Sequence, residues 1–316
     1  MTKKNIFPII FLTLILITSC SKEKKSNKAG LKMQDFVINI SKYMRSFNSN
    51  FIVIPQNGAE LAFTNLDQES GLNMDYVNAC NGMGIEELFY DGSLNVDDYR
   101  LKMLRSTKNY LKIMVADFLN DNSNLTDDIQ RCINEGFICF PRTSTNYYYS
   151  EIPDSVINKN NNDINKLADA ENYLYVIGLN DTFVSKDSLI STLKQTNWDV
   201  IIMDLFFKDT PLSKSDIDQL KTKANGAKRL VIAYMNIGSA ENYRYYWKDN
   251  WKLHHPKWLK KSYKGYDDEI WVEFWNKDWQ DIIYGNDKSY AKKIIDANFD
   301  GVYLDNVEAY YNLYFE

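Results

Sequence analysis

Short apolar runs alternate with amphipathic segments along most of the chain. Eight runs have the β-branched and aromatic residues typical of strands, and they cover residues 51–57, 85–90, 111–118, 137–141, 173–179, 199–206, 229–237 and 301–305. Helical periodicity spans residues 96–108, 125–134, 186–196, 213–224 and 288–298. Apolar strands that alternate with helices predict an α/β fold, a parallel sheet covered by helices.

Eight such units fit a single (β/α)8 TIM barrel better than an open, doubly wound sheet. An amphipathic segment over residues 33–45 precedes the first strand, whereas residues 306–316 are all that follows the eighth. We therefore expect the first helix to complete the ring beside the eighth strand, in a circularly permuted order. The alternative is a chain truncated after its eighth strand.

The amino terminus has the pattern of a bacterial lipoprotein signal. Lys3 and Lys4 precede an apolar run over residues 6–17, and small residues lead to Cys20. Residues 1–20 are therefore predicted to be the signal peptide, with Cys20 as the lipidation site. The polar residues 21–31 are predicted to be a flexible tether, and residues 32–316 the barrel. This predicts a lipid-anchored protein of the bacterial cell envelope, on its periplasmic or outer surface.

Composition narrows the chemistry. A total of 42 Asp and Glu against 37 Lys and Arg gives a net charge of −5, which argues against a nucleic-acid partner. His254 and His255 are the two histidines of the sequence, so a multi-histidine metal site and a Ser-His-Asp hydrolase are disfavoured. We expect carboxylate chemistry in a monomer, with no metal and no cofactor. Cys80, Cys132 and Cys139 are expected to be buried apolar residues without disulfides.

Polar side chains gather at the carboxyl ends of the predicted strands, where barrels carry their active sites. Strand eight ends in Asp305 and Asn306, and strand two carries Glu86 and Glu87, between which the sequence does not choose. In a closed ring strand eight neighbours strand one, so Asp305 and Glu86 should lie two strands apart. Such a carboxyl pair is what hydrolysis of a glycosidic bond needs. Other candidates near this rim are Asn57, Asp204, Tyr234, Glu241, Arg244 and Glu273.

The two carboxyl groups are expected to have different roles. Apolar neighbours should raise the pKa of Glu86 and make it the general acid. Asp305, beside donors from Asn306 and Asn57, should stay ionised as nucleophile or base. We expect the pair to face each other across the barrel opening, leaning towards the separation of an inverting pair, about 6.5–9.5 Å.

Six of the seven tryptophans follow strand seven, in a connection of roughly 60 residues that is long enough to suggest a functional loop. Indole rings stack on sugars, so this loop is a candidate for carbohydrate binding. Trp247 and Trp275 are the expected sugar-binding residues because acidic residues lie near them in sequence. The remaining tryptophans can instead form a small core within the loop.

Three segments resemble glycoside hydrolase family 114, the endo-α-1,4-polygalactosaminidases and their extracellular relatives. They are YMNIGSAENYRYYW (234–247), WVEFWN (271–276) and FDGVYLDNVEAY (299–310), and WDVIIMD (198–204) is similar to an early strand of that family. In the family, segments similar to residues 51–58 and 84–90 follow the Asp-Asn motif, whereas here they precede it. The resemblance covers most of residues 33–316 and implies a circularly permuted TIM barrel.

The resemblance also implies roles. It makes Asp305 and Glu86 the catalytic pair of an endo-acting hydrolase of an α-linked polysaccharide, with galactosaminide as the candidate sugar. The surrounding site implied by the resemblance consists of Asp204, Glu241, Glu273 and Asn57. Characterised members usually have an acidic residue and a proline before the Asp-Asn motif, where this chain has Tyr303 and Leu304. That difference favours the alternative function, a non-catalytic carbohydrate-binding lipoprotein on the same scaffold.

Overall fold

The computed structural model describes residues 7–143, 149–178 and 182–315, with the backbone alone described for residues 7–20. Its strands in chain order are β1 (Ile52–Pro55), β2 (Gly82–Leu94), β3 (Lys112–Leu119), β4 (Ile138–Cys139), β5 (Tyr173–Val176), β6 (Val200–Asp204), β7 (Phe206–Phe207), β8 (Thr210–Pro211), β9 (Leu230–Asn236), β10 (Ser239–Glu241), β11 (Leu259–Ser262), β12 (Glu269–Val272) and β13 (Gly301–Asp305).

The helices are α1 (Phe7–Arg45), α2 (Met74–Ala79), α3 (Asp98–Thr107), α4 (Leu125–Glu135), α5 (Lys186–Lys194), α6 (Lys214–Leu220), α7 (Lys277–Ile283), α8 (Tyr290–Asp296) and α9 (Ala309–Phe315). Short 3-10 helices occur at Ala59–Ala62, Thr64–Leu66, Gln68–Ser70, Asn122–Asn124 and Leu167–Asp169. All eight predicted strands and all the predicted helices have a counterpart. Leu179, at the end of the fifth predicted strand, lies outside the described residues.

Parallel strands form one continuous series. β1, β13, β9, β6 and β5 pair in that order as a five-stranded sheet, and β2, β3 and β4 form a second sheet. The two sheets meet where Gln56 bridges Gly84 and the Asn57 N–H donates to the Gly84 carbonyl at 2.7 Å. β4 and β5 are the end strands of this series, and no backbone pairing joins them in the described parts of the chain.

The side chains between the strands and the helices form a single apolar core. The loop after β9 adds a small antiparallel sheet of β10, β12 and β11 at the carboxyl ends of the parallel strands. We call this end of the sheet, marked by Asn57, Glu86, Asp204 and Asp305, the mouth. Cys80, Cys132 and Cys139 are buried and have no disulfide partner, as predicted.

Helix α1 lies beside β1 and β13, the first and the eighth of the predicted strands. Met33, Phe36, Val37, Ile40 and Met44 are buried at helical spacing, so α1 has one apolar stripe. The stripe packs against α9, α2 and α8, the helices that flank β13 and β1. A short helix, α9, follows β13, so the eighth strand does not lack its helix, contrary to the expectation, and α1 packs against α9.

The predicted flexible tether is wrong over much of its length. Residues 21–31 are helical and continue α1, and Ser26, Ala29 and Gly30 are buried. The polar residues around them predicted a solvated segment, but one face of the helix packs against distant parts of the chain. The side chain of Cys20 lies outside the described residues. Within the described part of the chain, no helix combines the length and the apolarity required to cross a bilayer.

Tyr303 occupies the interior of the sheet. Its ring is fully buried, and its phenolic oxygen finds no hydrogen-bond partner among the described residues. Gly84 on β2 makes room for it, because a Cβ there would lie 1.8 Å from that oxygen. The residue that departs from the family pattern therefore fills the core beneath the mouth.

The Gly84→Ala variant should be less stable by about 1–3 kcal/mol, because the added methyl group overpacks the Tyr303 ring. Urea unfolding of both proteins measures the difference. The double variant Gly84→Ala/Tyr303→Leu should regain part of the loss. A single variant as stable as the parent would mean that the ring can move aside.

Candidate active site

A cavity of about 1200 Å³ opens at the mouth. Its polar lining comes from the ends of β1, β2, β6 and β13 and from the loop after β9. Eight carboxyl groups line it: Glu86, Glu87, Asp204, Glu241, Asp268, Glu269, Asp305 and Glu308. Arg244 is the one Lys or Arg among the described lining residues. The cavity is therefore strongly acidic.

Asp305 lies at the end of β13 and accepts hydrogen bonds at both carboxyl oxygens. The Tyr234 hydroxyl donates to Oδ2, and the Asn306 N–H donates to Oδ1 at 2.7 Å. Burial raises the pKa of Asp305 to about 7, although the Tyr234 hydroxyl opposes the shift, and the Glu86 charge adds to it. The Asp305 carboxyl group is therefore expected to titrate near pH 7 and to be fully ionised only at higher pH.

Glu86 lies on β2, on the other side of β1 from Asp305, and lines the same cavity. The Tyr149 hydroxyl donates to its Oε1, and the Asn57 amide donates to its Oε2 at 3.3 Å. The Asn57 side-chain oxygen also accepts from the Glu86 N–H at 3.1 Å. Asn57 has a left-handed backbone (φ 61°), which directs its amide across to β2. β1 separates β13 from β2, so Glu86 and Asp305 are two strands apart as predicted.

Glu87 lines the same cavity at a different place. Its carboxylate accepts from Arg142 at 3.0 Å, and its carbonyl accepts from Arg100 at 2.7 Å. The residue has a left-handed backbone (φ 54°), which breaks the strand alternation and turns two successive glutamates towards one opening. Glu86 thus lies with Asn57 and Asp305, while Glu87 belongs to an ion pair towards β4.

A buried ion cluster forms the opposite wall. Arg244 donates to Asp204 at 2.7 Å and to both oxygens of Glu241 at 2.7 and 3.1 Å. Burial raises the pKa of Asp204, and the Arg244 charge opposes that shift. Tyr243 adds a hydrogen bond to Glu241 at 2.6 Å. Because Arg244 is already shared by two carboxylates, it leaves the cavity without an uncompensated cation.

Two further acids lie close to Asp305 and were not singled out from the sequence. Burial raises the pKa of Glu269 to about 8 and that of Glu308 to about 7. Glu269 accepts from the Ser239 hydroxyl and, at 3.2 Å, from the Asn236 amide. Glu308 follows the Asp-Asn motif by two residues, which was a usable signal. The sequence around Glu269 contains no such signal, because the loop that carries it folds back onto the cavity only in the tertiary structure.

Three predicted binding residues lie away from the cavity. Trp247 packs edge-on against Trp251 at 5.5 Å, and Lys32 lies over the Trp275 ring at 4.1 Å. Glu273 pairs with Lys260 at 3.4 Å. Their positions do not support a role in binding sugar, because they belong to the small core and the outer surface of the long loop. The described aromatic lining consists of tyrosines: Tyr149, Tyr175, Tyr234, Tyr243, Tyr263, Tyr266 and Tyr311.

A buried carboxyl pair supports the turn that carries Glu86 and Glu87. Asp117 on β3 accepts from the N–H groups of Leu88 and Phe89 at 2.6 and 3.0 Å. Between Glu86 and Asp91 the pairing of β2 with β3 shifts, so β2 bulges around this carboxylate. Asp128 of α4 is buried beside it, and burial together with the Asp117 charge raises the pKa of Asp128 to about 9. A protonated Asp128 next to ionised Asp117 is the stable arrangement.

The Asp128→Asn variant should gain stability over the parent as pH rises. The folded parent keeps a proton on Asp128 that the unfolded chain releases above about pH 4, so its stability falls from there towards pH 9. Asparagine carries no such proton, so between pH 5 and pH 8 the variant should gain about 4 kcal/mol on the parent, at about 1.4 kcal/mol per pH unit. Thermal unfolding at pH 5 and pH 8 measures this.

Asp127→Asn is the matched control one residue away. Hydrogen bonds from Tyr90 and Arg131 lower the pKa of Asp127, so its carboxylate stabilises the fold above pH 4 and loses that effect as pH falls. This variant should therefore be less stable than the parent at neutral pH. Parallel stability–pH curves for the parent and Asp128→Asn would contradict a proton held by Asp128.

Residues 159–315 match the model of glycoside-hydrolase family GH114. Over this region, the chain belongs to the GH114 family. The GH114 region supplies Asp204, Tyr234, Glu241, Arg244 and Asp305 to the cavity, while Asn57 and Glu86 precede it.

Three relatives are themselves uncharacterized proteins. One from Thermotoga maritima is 37% identical over 79 residues, which is 25% of this chain and 23% of the relative. One from Methanocaldococcus jannaschii is 34% identical over 121 residues, 38% of this chain and 34% of the relative. One from Deinococcus radiodurans is 30% identical over 122 residues, which is 38% of this chain and 37% of the relative. The chain thus spans 23% to 37% of the length of these relatives.

Proposed function

We propose that this GH114 protein is an endo-acting glycoside hydrolase that cleaves an α-linked polymer of amino sugars, with Asp305 and Glu86 as its catalytic carboxyl pair. The main support is that both groups line one acidic cavity from positions on either side of β1. GH114 is a family of glycoside hydrolases, and hydrolysis of a glycosidic bond requires two carboxyl groups that face one cleft.

We assign Asp305 as the ionised group that acts as nucleophile or activates water. Each of the two carboxyl groups accepts a hydrogen bond at both of its oxygens, so the pH dependence of kcat/KM, and not the hydrogen bonding, decides the assignment. Glu86 is then the proton donor to the leaving oxygen. Tyr149 and Asn57 hold its carboxyl group from both sides and orient it for that transfer.

The charge of the cavity favours a cationic sugar. Among the described lining residues, eight carboxyl groups surround one arginine, Arg244, which is itself paired with Asp204 and Glu241. A sugar with a free ammonium group is attracted to such a cavity, whereas an N-acetylated or acidic sugar is not. The seven tyrosine rings supply the flat faces on which pyranose rings can pack.

The test compares α-1,4-linked polygalactosamine with its fully N-acetylated form, using the full-length protein in detergent. We expect new reducing ends from the free-amine polymer, a rate that falls with added salt, and little release from the acetylated polymer. Asp305→Asn should release none. Equal rates on both polymers would rule out recognition of the ammonium group.

A carbohydrate-binding protein without turnover is the second candidate. It rests on Tyr303 and Leu304, which stand where characterised members have an acidic residue and proline. Both side chains are buried in the core and neither lines the cavity, so the difference leaves the carboxyl pair unaltered. Binding of the polymer without release of reducing ends would favour this candidate.

We further propose a closed, circularly permuted barrel and a lipid anchor. Contact of Phe140, just after β4, with Tyr173 on β5 at 5.7 Å supports closure between the end strands. The GH114 match covers residues 159–315, and Glu86 precedes the matched region in the sequence. This order supports the circular permutation. The lipobox-like sequence before Cys20 supports acylation in the bacterial envelope.

A further inference from the structure

The amino-terminal part of α1 is separated from the cavity by one short helix. The Ser26 hydroxyl donates to the Tyr310 carbonyl in α9 at 3.2 Å. The neighbouring residues Glu308, Tyr311 and Asn312 line the cavity. Gly30 is packed so tightly that a Cβ there would lie 2.2 Å from Leu66 and 3.1 Å from the Tyr310 ring. This part of α1 is therefore bound to the mouth.

The direction of α1 relative to the strands follows from its other end. Arg45 donates to the carbonyls of Phe51 and Asn78, which lie where β1 and β2 begin. α1 thus runs antiparallel to β1, and it ends at the face opposite the mouth. Cys20 precedes Ser26 by six residues of the same helix, a rise of about 9 Å. No flexible segment separates the proposed acylation site from the mouth.

The surface beside that attachment point is basic. Lys22, Lys24, Lys25 and Lys28 are exposed, with Glu23 the one acidic residue between them. Lysines next to a lipid anchor bind anionic headgroups, each contributing about 1 kcal/mol near the surface. Without these lysines, the acidic cavity would be repelled by an anionic membrane surface. The lysines of α1 offset that repulsion at the edge of the mouth.

We propose that α1 holds the mouth at an anionic phospholipid surface, with its exposed lysines on the headgroups. The protein then acts on glycan at the membrane surface, and the cavity is not carried away from the bilayer on a long tether. The proposal rests on acylation of Cys20. It requires no catalytic turnover, so a failed activity assay leaves it intact and a failed orientation test leaves the hydrolase proposal intact.

Energy transfer to a headgroup acceptor tests the orientation. The acylated full-length protein is reconstituted in phosphatidylcholine vesicles that contain phosphatidylglycerol, and one donor dye is attached to an introduced cysteine. Leu94→Cys places the dye at the mouth end of β2, and Tyr110→Cys places it at the opposite face, between α3 and β3. The parent residues are 52% and 57% exposed, and the native Cys80, Cys132 and Cys139 are buried. We expect severalfold stronger transfer from position 94.

Two variants test separately whether the rigid helix and whether the lysine charges orient the mouth. On neutral phosphatidylcholine vesicles, where the lysines have no anionic headgroups to bind, a long Gly-Ser insertion between Ser21 and Lys22 should make transfer from the two positions equal, because it restores free rotation of the barrel. Lys22→Gln/Lys25→Gln/Lys28→Gln should weaken transfer from position 94 on anionic vesicles and leave it unchanged on neutral ones. Equal transfer from both positions in the parent, or failure of the parent to bind vesicles, would overturn the proposal. So would an insertion that leaves the difference unchanged.

Discussion

Replacing Asp305 by Asn should lower kcat by about a thousandfold or more, because the variant keeps the shape of the site and loses the ionised oxygen. Replacing Glu86 by Gln should lower it by roughly 10²- to 10⁴-fold through loss of the transferable proton. Initial rates of reducing-end release measure both. Asp300→Asn is the matched control, since it makes the same change at the other end of β13, where Asp300 pairs with Lys221 at 2.6 Å. It should affect stability and leave kcat near that of the parent.

The pH dependence supplies an independent check on the role of Asp305. Burial raises its pKa to about 7, and a nucleophile or base must be ionised, so kcat/KM should rise with pH through about 7. A rate that falls through this range would instead make Asp305 the proton donor. The raised pKa also costs stability as pH increases from about 4 to 7, because the unfolded chain releases this proton earlier. Asp305→Asn should therefore be more stable than the parent at pH 8, by about 1–3 kcal/mol.

Replacing Lys223 by Met should cause the largest loss of stability, about 3–5 kcal/mol, because it leaves a buried carboxylate without its cation. Lys223 and Asp199 are fully buried at the face opposite the mouth and lie 2.6 Å apart. Asp199 also accepts from Asn160 and from the Glu171 N–H, each at 2.9 Å, so it stays in place when the lysine is removed. Urea unfolding measures the loss.

A partly exposed pair on the same face provides the control. Lys221 pairs with Asp300 at 2.6 Å with about a quarter of each side chain exposed, so Lys221→Met should cost about 0–1 kcal/mol. The double variant Lys223→Met/Asp199→Asn should recover part of the loss, because it removes the uncompensated charge. Active sites of this fold lie at the mouth, so kcat of the folded Lys223→Met protein should match that of the parent. Equal losses from both lysine substitutions would show that burial of the Asp199 pair has no special effect.

The strands and the position of Asp305 follow from local sequence. An apolar run such as β9 (Leu230–Asn236) is buried at every position, and such a run has few conformations other than an interior strand. Asp305 and Asn306 directly follow a run of the same kind, so their place at a strand end can be read from the chain. The prediction of the Asp305–Glu86 pair rests on acidic residues on two of these strands together with the family motifs.

Contacts between distant segments decided the rest. Glu86 and Glu87 both reach the cavity because Asp117 of a neighbouring strand holds a turn that strand alternation does not predict. Trp247 packs on Trp251 and Trp275 lies under Lys32, whereas tyrosines from six separate segments converge on the cavity.

Sequence by itself thus determined the kind of fold and the residues at the strand ends, because apolar periodicity and strand ends are local properties. The tertiary structure alone decided that residues 21–31 continue a helix, since Ser26 finds its partner Tyr310 284 positions away. It also decided the pKa of Asp305, because burial depends on every segment that covers the carboxyl group. Both are properties of packing, to which residues far apart in the chain contribute together.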